Sequence, residues 1–449
     1  MRFVNAAILS ILLIYGADLR AQGITVTLEQ AKQAAFENNL SIVQADAGTS
    51  SAQASALAAY GGYLPFLSAN GSWGRTQNDR ATSTSASVGG GTFVLPPSTS
   101  TTTSFSTGVN LNWTIFDGFS RQGQVGQATS RSASAELNSV RTRQSIVFQV
   151  ESGYLNVLRS EQLVKVSEEA LKRDNRQLER ITESNRVGSA ALADVYRQQT
   201  QSAGDELALI QAQNNYDKAK ADLITLVGLD LGKEYVFADP AISTVLSKAE
   251  LDETTTKYGS FRSLTDRALL ARPDYRGAKE TFSASQSGVT IARSGYLPSL
   301  SARAGYNLSS DEFRTLSDNK TLSWGLSVNW TLFDGLQTNS AIQAAIANRR
   351  IAEISLTQAE RDINSQVKKA LLDLEAARKQ YEVSQKALVS ASEDLKIAEE
   401  RYNLGAGTLL DMLIASANLV SAQANSVNAV YSYITAKRNL EYSVGERTY

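Results

Sequence analysis

Two hydrophobic periods alternate along this chain. Val150, Val157, Val164, Leu171 and Leu178 recur every seventh position, and Val367, Leu374, Tyr381, Leu388, Leu395 and Tyr402 do the same later on. The companion positions are small: Gly153, Ser160 and Ser167, then Ala370, Ala377, Ala391 and Ala398. Large side chains set against small ones at this spacing describe helices packed closely in coiled-coil fashion. The prolines are Pro65, Pro96, Pro97, Pro240, Pro273 and Pro298, so none interrupts residues 98–239 or anything after 298. An interior proline costs a helix about 3 kcal/mol, and these stretches are free of that cost. The pattern predicts long helices over about 120–186 and 337–403, each on the order of 100 Å at the helical rise per residue. Shorter helices are predicted near Thr27–Ala59, 190–226, Ser263–Arg293 and 408–443. Two short helices end to end match one long helix in length.

The second period is two. Phe105, Thr107, Val109, Leu111, Trp113 and Ile115 alternate with Ser104, Ser106, Gly108, Asn110, Asn112 and Thr114. Leu322, Trp324, Leu326, Val328, Trp330 and Leu332 alternate in the same way with polar residues and glycine. A third strand runs from Leu300 to Leu308, and a weaker fourth is carried by Leu67, Ala69, Gly71 and Trp73. Such alternation predicts strands with one apolar and one polar face. Trp73, Trp113, Trp324 and Trp330, all the tryptophans of the chain, lie in these strands. Tryptophan favours membrane–water boundaries, so the four are candidate interface aromatics of a transmembrane barrel wall.

The pattern occurs twice. Asn112-Trp-Thr-Ile-Phe-Asp-Gly118 recurs as Asn329-Trp-Thr-Leu-Phe-Asp-Gly335, an offset of 217 residues. The same offset joins Gly188 and Asp194 to Gly405 and Asp411, and Val227-Gly228 to Val444-Gly445. Upstream, Tyr63-Leu-Pro matches Tyr296-Leu-Pro at an offset of 233, which locates a 16-residue insertion within Arg75–Thr107 of the first copy. That stretch is rich in Ser, Thr and Gly and reads as a long polar loop. The resulting organisation is a first repeat over 22–231, a joining or equatorial region over 232–262 and a second repeat over 263–449. Hairpins fall at about 63–118 and 296–335.

Composition then removes whole classes of function. There is no Cys and no His, which excludes Ser-His-Asp and Cys-His catalysis and the usual zinc ligand sets. No catalytic constellation, metal site or cofactor is expected. A formal charge of −1 lacks the basic footprint of a nucleic-acid partner. Arg2 followed by the apolar run Ala6–Tyr15 reads as a secretory signal over 1–21, too short for a spanning helix of about 20 apolar residues. Spanning a membrane therefore falls to the strands.

Four strands cannot close a barrel, and open sheet edges are not tolerated in lipid. Known barrels begin at about eight strands, so two protomers would supply eight and three would supply twelve. Strand arithmetic alone does not choose. The chain resembles the TolC-type outer-membrane channel proteins of efflux pumps and type I secretion systems. The resemblance rests on Tyr-Leu-Pro before the odd strands, Trp-x-x-Phe-Asp-Gly after the even strands and Gly-x5-Asp at both helical turns. It implies a homotrimer, a 12-stranded barrel among outer-membrane lipids, and a helical tunnel through the periplasm of a Gram-negative bacterium. It also implies docking onto a periplasmic adaptor protein and an inner-membrane transporter. The fold class expected is mainly α, with long-helix coiled-coil repeats and four transmembrane strands per chain.

Functional residues follow from both arguments. Pro65 and Pro298 should begin strands, and Gly118 and Gly335 should turn the chain from strand into long helix. Gly188 and Gly405 suit helix C-termini at the tips, with Asp194 and Asp411 one turn into the next helices, where a carboxylate complements the helix dipole. The resemblance implies that Asp411 helps ring a narrow tunnel entrance and that Tyr402 and Asp194 belong to a latch that closes it. Two family positions differ: Ile414 stands where the family's best-known member has a second Asp, and Gly407 where it has the latch Arg. A simpler, weaker or differently wired gate is expected. The function so predicted is a passive exit duct; the alternative is a structural or adhesive outer-surface coiled-coil protein.

Overall fold

The chain's long heptad stretches form two helices of equal length, and its period-two stretches form one sheet. The structure, a computed structural model, describes residues 24–80, 85–88, 91–94, 98–240 and 246–446. The expected secretory signal and Pro96-Pro97 lie outside these residues. In chain order the first repeat contains β1 (Ile24–Val26), α1 (Leu28–Asn38), α2 (Leu40–Gly61), β2 (Phe66–Arg80), β3 (Ser85–Val88), β4 (Gly91–Val94), β5 (Ser98–Asp117), α3 (Ser120–Arg186) and α4 (Leu192–Val227). The join contributes β6 (Tyr235–Phe237) and α5 (Lys248–Tyr258). The second repeat contains α6 (Phe261–Ala271), α7 (Pro273–Arg293), β7 (Ser299–Ser310), β8 (Lys320–Asn329), α8 (Gln337–Asn403) and α9 (Leu409–Val444). Helices α3 and α8 have 67 residues each, and α4 and α9 have 36 each. Among the described residues no helix is long and apolar enough to cross a membrane.

The chain forms two compact units that are not the two repeats. One unit takes Met1–Val43, Arg143–Leu264 and Gln366–Tyr449; the other takes Gln44–Thr142 and Thr265–Ser365. Each therefore draws on both copies. In the first unit the heptad residues Val150 and Val157 are fully buried, and Leu223, Val227 and Ala219 of α4 pack with them. At Gly153 α4 packs close: a Cβ there would lie 3.3 Å from Leu223 Cδ1. The short strand β1 pairs in parallel with β6, and the Tyr154 hydroxyl donates to the Val26 carbonyl at 2.9 Å. The join is anchored through α5, whose Leu251 and Tyr258 are buried, and the Tyr381 hydroxyl donates to the Leu246 carbonyl at 3.3 Å.

The second unit holds the sheet, antiparallel throughout, in the order β2-β5-β7-β8. Its register places Leu67, Leu111, Ala304 and Trp324 in one row and Trp113, Ala302 and Leu326 in another, all on one face. Strands β2 and β8 are its two open edges.

Three expectations are corrected. The insertion is not a loop through Arg75–Thr107: β2 and β5 extend through it, paired from Phe66↔Asn112 to Arg80↔Ser98, and β3 pairs with β4 beyond. Ser/Thr-rich sequence is compatible with a strand once a partner satisfies its backbone, because β-branched Thr fits the pleated surface. Strand β8 stops at Asn329 instead of continuing to Leu332. Its twin β5 runs to Asp117 because β7 pairs with it that far, whereas β8 has no partner on its outer side. Lastly, each helix before a hairpin is broken, at Asn39 and at Arg272-Pro273, sites related by the 233-residue offset. At the first break Asn39 Nδ2 donates to the Leu226 carbonyl at 2.8 Å, and its Oδ1 accepts from the Ser41 amide at 2.9 Å.

Candidate functional site

The tips are built by glycine. Gly188 (φ +80°) and Gly405 (φ +71°) end α3 and α8 in the left-handed conformation, where a side chain is strained even though space around both is open. The amide of Ser189 reaches back to the Ser184 carbonyl at 2.9 Å and that of Ala406 to the Arg401 carbonyl at 2.8 Å. These bonds satisfy carbonyls that a helix end otherwise leaves without a donor. The tips of both copies share one apolar cluster: Ile181 and Val195 pack with Leu395, Leu409, Met412, Ala415 and Leu419, and Tyr402 lies against it.

The two tip aspartates do different work. Asp411 and Thr408 cap α9 reciprocally: the Asp411 amide donates to Thr408 Oγ1 at 3.2 Å, and the Thr408 amide and hydroxyl donate to Asp411 Oδ2 at 3.1 and 2.7 Å. These bonds, aided by the Arg401 charge, hold the Asp411 carboxyl below the ordinary carboxylate value. The first copy has Ala191 where the second has Thr408, so α4 has no side-chain cap. Asp194 instead pairs with Arg197 at 3.0 Å. Burial raises the Tyr402 phenol above its ordinary value, and the Asp194 charge adds to the rise against Arg180. Tyr402 and Asp194 thus lie within electrostatic reach of each other without a hydrogen bond among the described contacts.

A cation that the sequence did not single out occupies this tip. Arg401, in the last turn of α8, donates to the Ala406 carbonyl at 3.3 Å. It lines a cavity of about 250 Å³ with Asp394, Gly407, Asp411 and Ile414. A Cβ at Gly407 would sit 3.1 Å from Arg401 Cβ and 3.4 Å from the Arg401 and Tyr402 backbone, so the glycine lets the turn close against the end of α8. The available signal was a basic residue in a final helical turn, where it complements the helix dipole.

The strand–helix junctions form a second cluster. Pro65 and Pro298 immediately precede β2 and β7. Gly118 and Gly335 both have φ +66°, and each is followed by a further left-handed residue, Phe119 or Leu336, at φ 71°. Asp117 Oδ2 accepts from the Arg121 amide at 3.0 Å, and Asp334 Oδ2 accepts from the Thr338 amide at 2.7 Å, so both motif aspartates cap a long helix. Arg121 also donates to the carbonyls of Gly62 and Ile115 at 3.1 and 3.0 Å and lies over the Tyr63 ring at 5.0 Å. Of the tryptophans, Trp113 and Trp330 lie at the helix side of the sheet, Trp324 two residues along from the Trp113 row, and Trp73 beside Phe105, where β7 ends and the β2–β5 pair continues alone. The apolar face is bare: Trp324 is 82% exposed and Leu322, Leu326 and Val328 are 70% exposed or more. A contiguous apolar face of this kind marks a surface that other apolar matter covers.

A sequence model of the family described as outer membrane efflux protein matches residues 31–229 and 264–446, nearly all of both repeats. The chain belongs to the outer membrane efflux protein family. It is 24% identical over 355 residues to outer membrane protein TolC of Vibrio cholerae, covering 76% of each chain. Against outer membrane efflux protein BepC of Brucella suis it is 24% identical over 357 residues, covering 78% of this chain and 74% of the other. Its fold is similar to that of CusC, with a TM-score of 0.80 at 18% identity over 96% of this chain and 95% of that one. It is also similar to the outer membrane channel CmeC of Campylobacter jejuni, with a TM-score of 0.77 at 20% identity over 93% and 85%. As a TolC-type outer membrane efflux channel, the chain resides in the outer membrane, and the bare face of its sheet is the part fitted to lipid.

Proposed function

We propose that this chain is the exit duct of a tripartite efflux or type I secretion system: a homotrimer whose twelve strands close one barrel. Its helix tips meet a periplasmic adaptor and an inner-membrane transporter and carry the gate. The observation that carries the reading is the four-stranded sheet with two open edges and a bare apolar face. Lipid does not tolerate unpaired strand edges, so β8 of one copy must pair with β2 of the next. The internal duplication specifies how. Shifting the β5·β7 pairing by the two repeat offsets turns Ser106↔Ser309 into Ser323↔Thr76, Val109↔Tyr306 into Leu326↔Trp73 and Trp113↔Ala302 into Trp330↔Ala69. An adhesive stalk has no need of such a face.

The gate is assigned to Asp194, Tyr402 and Asp411, with Arg401 as its cation. Three Asp411 carboxylates around a threefold axis repel one another and attract cations. The exposed apolar residues Val187 and Leu404 at the two turns support contact with an adaptor.

The test is cross-linking of Thr76→Cys with Ser323→Cys in outer membranes, in a chain that has no other cysteine. Facing residues of antiparallel strands have Cα atoms about 4.5–5.5 Å apart, within disulfide reach. Oxidation is expected to give a ladder ending at three chains, with no ladder for the shifted pair Thr76→Cys and Ser327→Cys. A ladder ending at two chains, or none from the registered pair, overturns the trimer.

A further inference from the structure

Helices α3 and α4 hold a pair of acidic side chains where the duplicated helices hold two alanines. Asp174 on α3 is 4% exposed, and Asp205 faces it from α4 within hydrogen-bond reach. Moved by the repeat offset, these positions are Ala391 and Ala422. The companion series Gly153, Ser160, Ser167 continues at Asp174, so the acid occupies a place that the seam otherwise gives to a small residue.

The surroundings do not neutralise two carboxylates. Gln201 Nε2 donates to Asp205 Oδ1 at 3.1 Å, and the same side chain is within hydrogen-bond reach of Asp174, so one neutral amide serves both carboxyls. Asp205 Oδ2 is buried and has no donor among protein groups. Gln198 is fully buried, and its Nε2 donates to the backbone carbonyl of Asp174, not to the carboxyl. The charged groups acting on Asp174 are Asp205 on α4 and Arg173 on α3; α8 and α9 contribute none. Arg173 lends charge, but its Nε and Nη2 are buried without an acceptor. Ionised carboxylates only accept hydrogen bonds, so two of them in contact must share a proton or separate. Burial first, and Asp205 second, push Asp174 up to about 7.

The geometry points to Asp174 and Asp205 as a proton-binding site, a carboxylic acid bonded to a carboxylate, whose proton ties α3 to α4 and whose loss to solvent loosens that seam in the first repeat alone. The bound proton leaves to water and two carboxylates remain, with no other reactant. The second repeat, with Ala391 and Ala422, has nothing to titrate there. The seam becomes a local sensor of pH near neutrality, in a helical hairpin whose twin ignores it. This does not rest on the duct reading, since the pair lies within one chain.

The test uses the full-length purified protein in lipid nanodiscs. Infrared difference spectra from about pH 6 to about pH 9, where ordinary carboxyls are almost wholly ionised, should lose a carboxylic-acid carbonyl band near neutrality. Asp174→Asn with Asp205→Asn should lack that band throughout. Spin labels at Lys172→Cys and Ala208→Cys should report a longer, broader distance at the alkaline end. Labels at the twin positions, Val389→Cys and Asn425→Cys, should report no change. Absence of the band in the unaltered chain, or an α3–α4 distance that does not respond to pH, overturns the proposal. The unaltered chain carries both readouts, so a variant that fails to fold leaves the decision intact. A chain that forms no trimer but shows the titration refutes the duct and not the site.

Discussion

The indole N–H of Trp113 donates to the carbonyl of Tyr63 at 3.0 Å, and in the second repeat Trp330 donates to Tyr296 at 3.1 Å. The Trp of one repeated motif thus holds the Tyr of the other, and together they fix the corner where a helix gives way to the sheet. A neutral hydrogen bond contributes about 0.5–1.5 kcal/mol, so Trp113→Phe and Trp330→Phe should each lower stability by about 1 kcal/mol. Because the contacts are twins, the two losses should be equal. Denaturant unfolding in detergent measures both.

The first junction is held more firmly than the second. Arg121 meets Asp117, Gly62, Ile115 and the Tyr63 ring, while its counterpart Thr338 meets Asp334 through its amide and its side chain. Removing one partner of a largely buried charged network costs several kcal/mol. Arg121→Ala should destabilise by about 3 kcal/mol and Thr338→Ala, which loses one side-chain bond to Asp334, by about 1, as read by thermal unfolding.

The two junction glycines should also part company. Left-handed backbone costs a residue with a Cβ about 1–2 kcal/mol, and both glycines carry that requirement. At Gly118 a Cβ would in addition lie 2.8 Å from Leu297 Cβ and from the Ser294 carbonyl oxygen, whereas at Gly335 nothing lies within 4 Å. Gly335→Ala should therefore assemble at a cost of about 1–2 kcal/mol, and Gly118→Ala should cost clearly more or fail to assemble. The yield of heat-modifiable oligomer on gels separates the two.

At the tip, Asp411 has a folded-state pKa below its ordinary value because Thr408 donates to it. A depressed carboxyl contributes stability above its unfolded pKa and loses it as pH falls through the folded one. The Thr408 bonds lower the pH at which the cation preference assigned to Asp411 is lost, and repulsion among the three carboxylates of the ring works against them. Thr408→Ala should raise the pH at which it disappears, and Asp411→Asn should abolish it at neutral pH. Single-channel recordings in planar bilayers decide; selectivity unchanged in Asp411→Asn removes the ring.

Asp174 carries the opposite sign. Its folded pKa, about 7, exceeds its ordinary value of 3.8. A raised carboxyl favours the fold most at low pH, and that contribution declines as pH rises between the two values. Asp174→Asn should flatten the pH dependence of the melting temperature across this interval and raise it at the alkaline end.

The repeat offsets, the proline-free stretches and the two periodicities settled the helices, the four strands and the doubling of the fold, because these are local properties of which side chain follows which. Gly188, Gly405, Gly118 and Gly335 were legible for the same reason: a left-handed turn at the end of an element demands glycine wherever the chain goes next. What only the tertiary structure decided depends on partners distant in sequence. Composition could not show that the Ser/Thr-rich insertion pairs as strands, because that needs β2 to meet β5 across the hairpin. Asp411 read as a carboxylate complementing a helix dipole; its reciprocal bonds with Thr408, and the cavity it shares with Arg401, depend on how the two helix ends fold together. Neither the two periods nor the repeat landmarks mark Asp174. Its chemistry exists because α4 brings Asp205 against it in the seam between the helices, where two carboxylates keep company only by holding a proton.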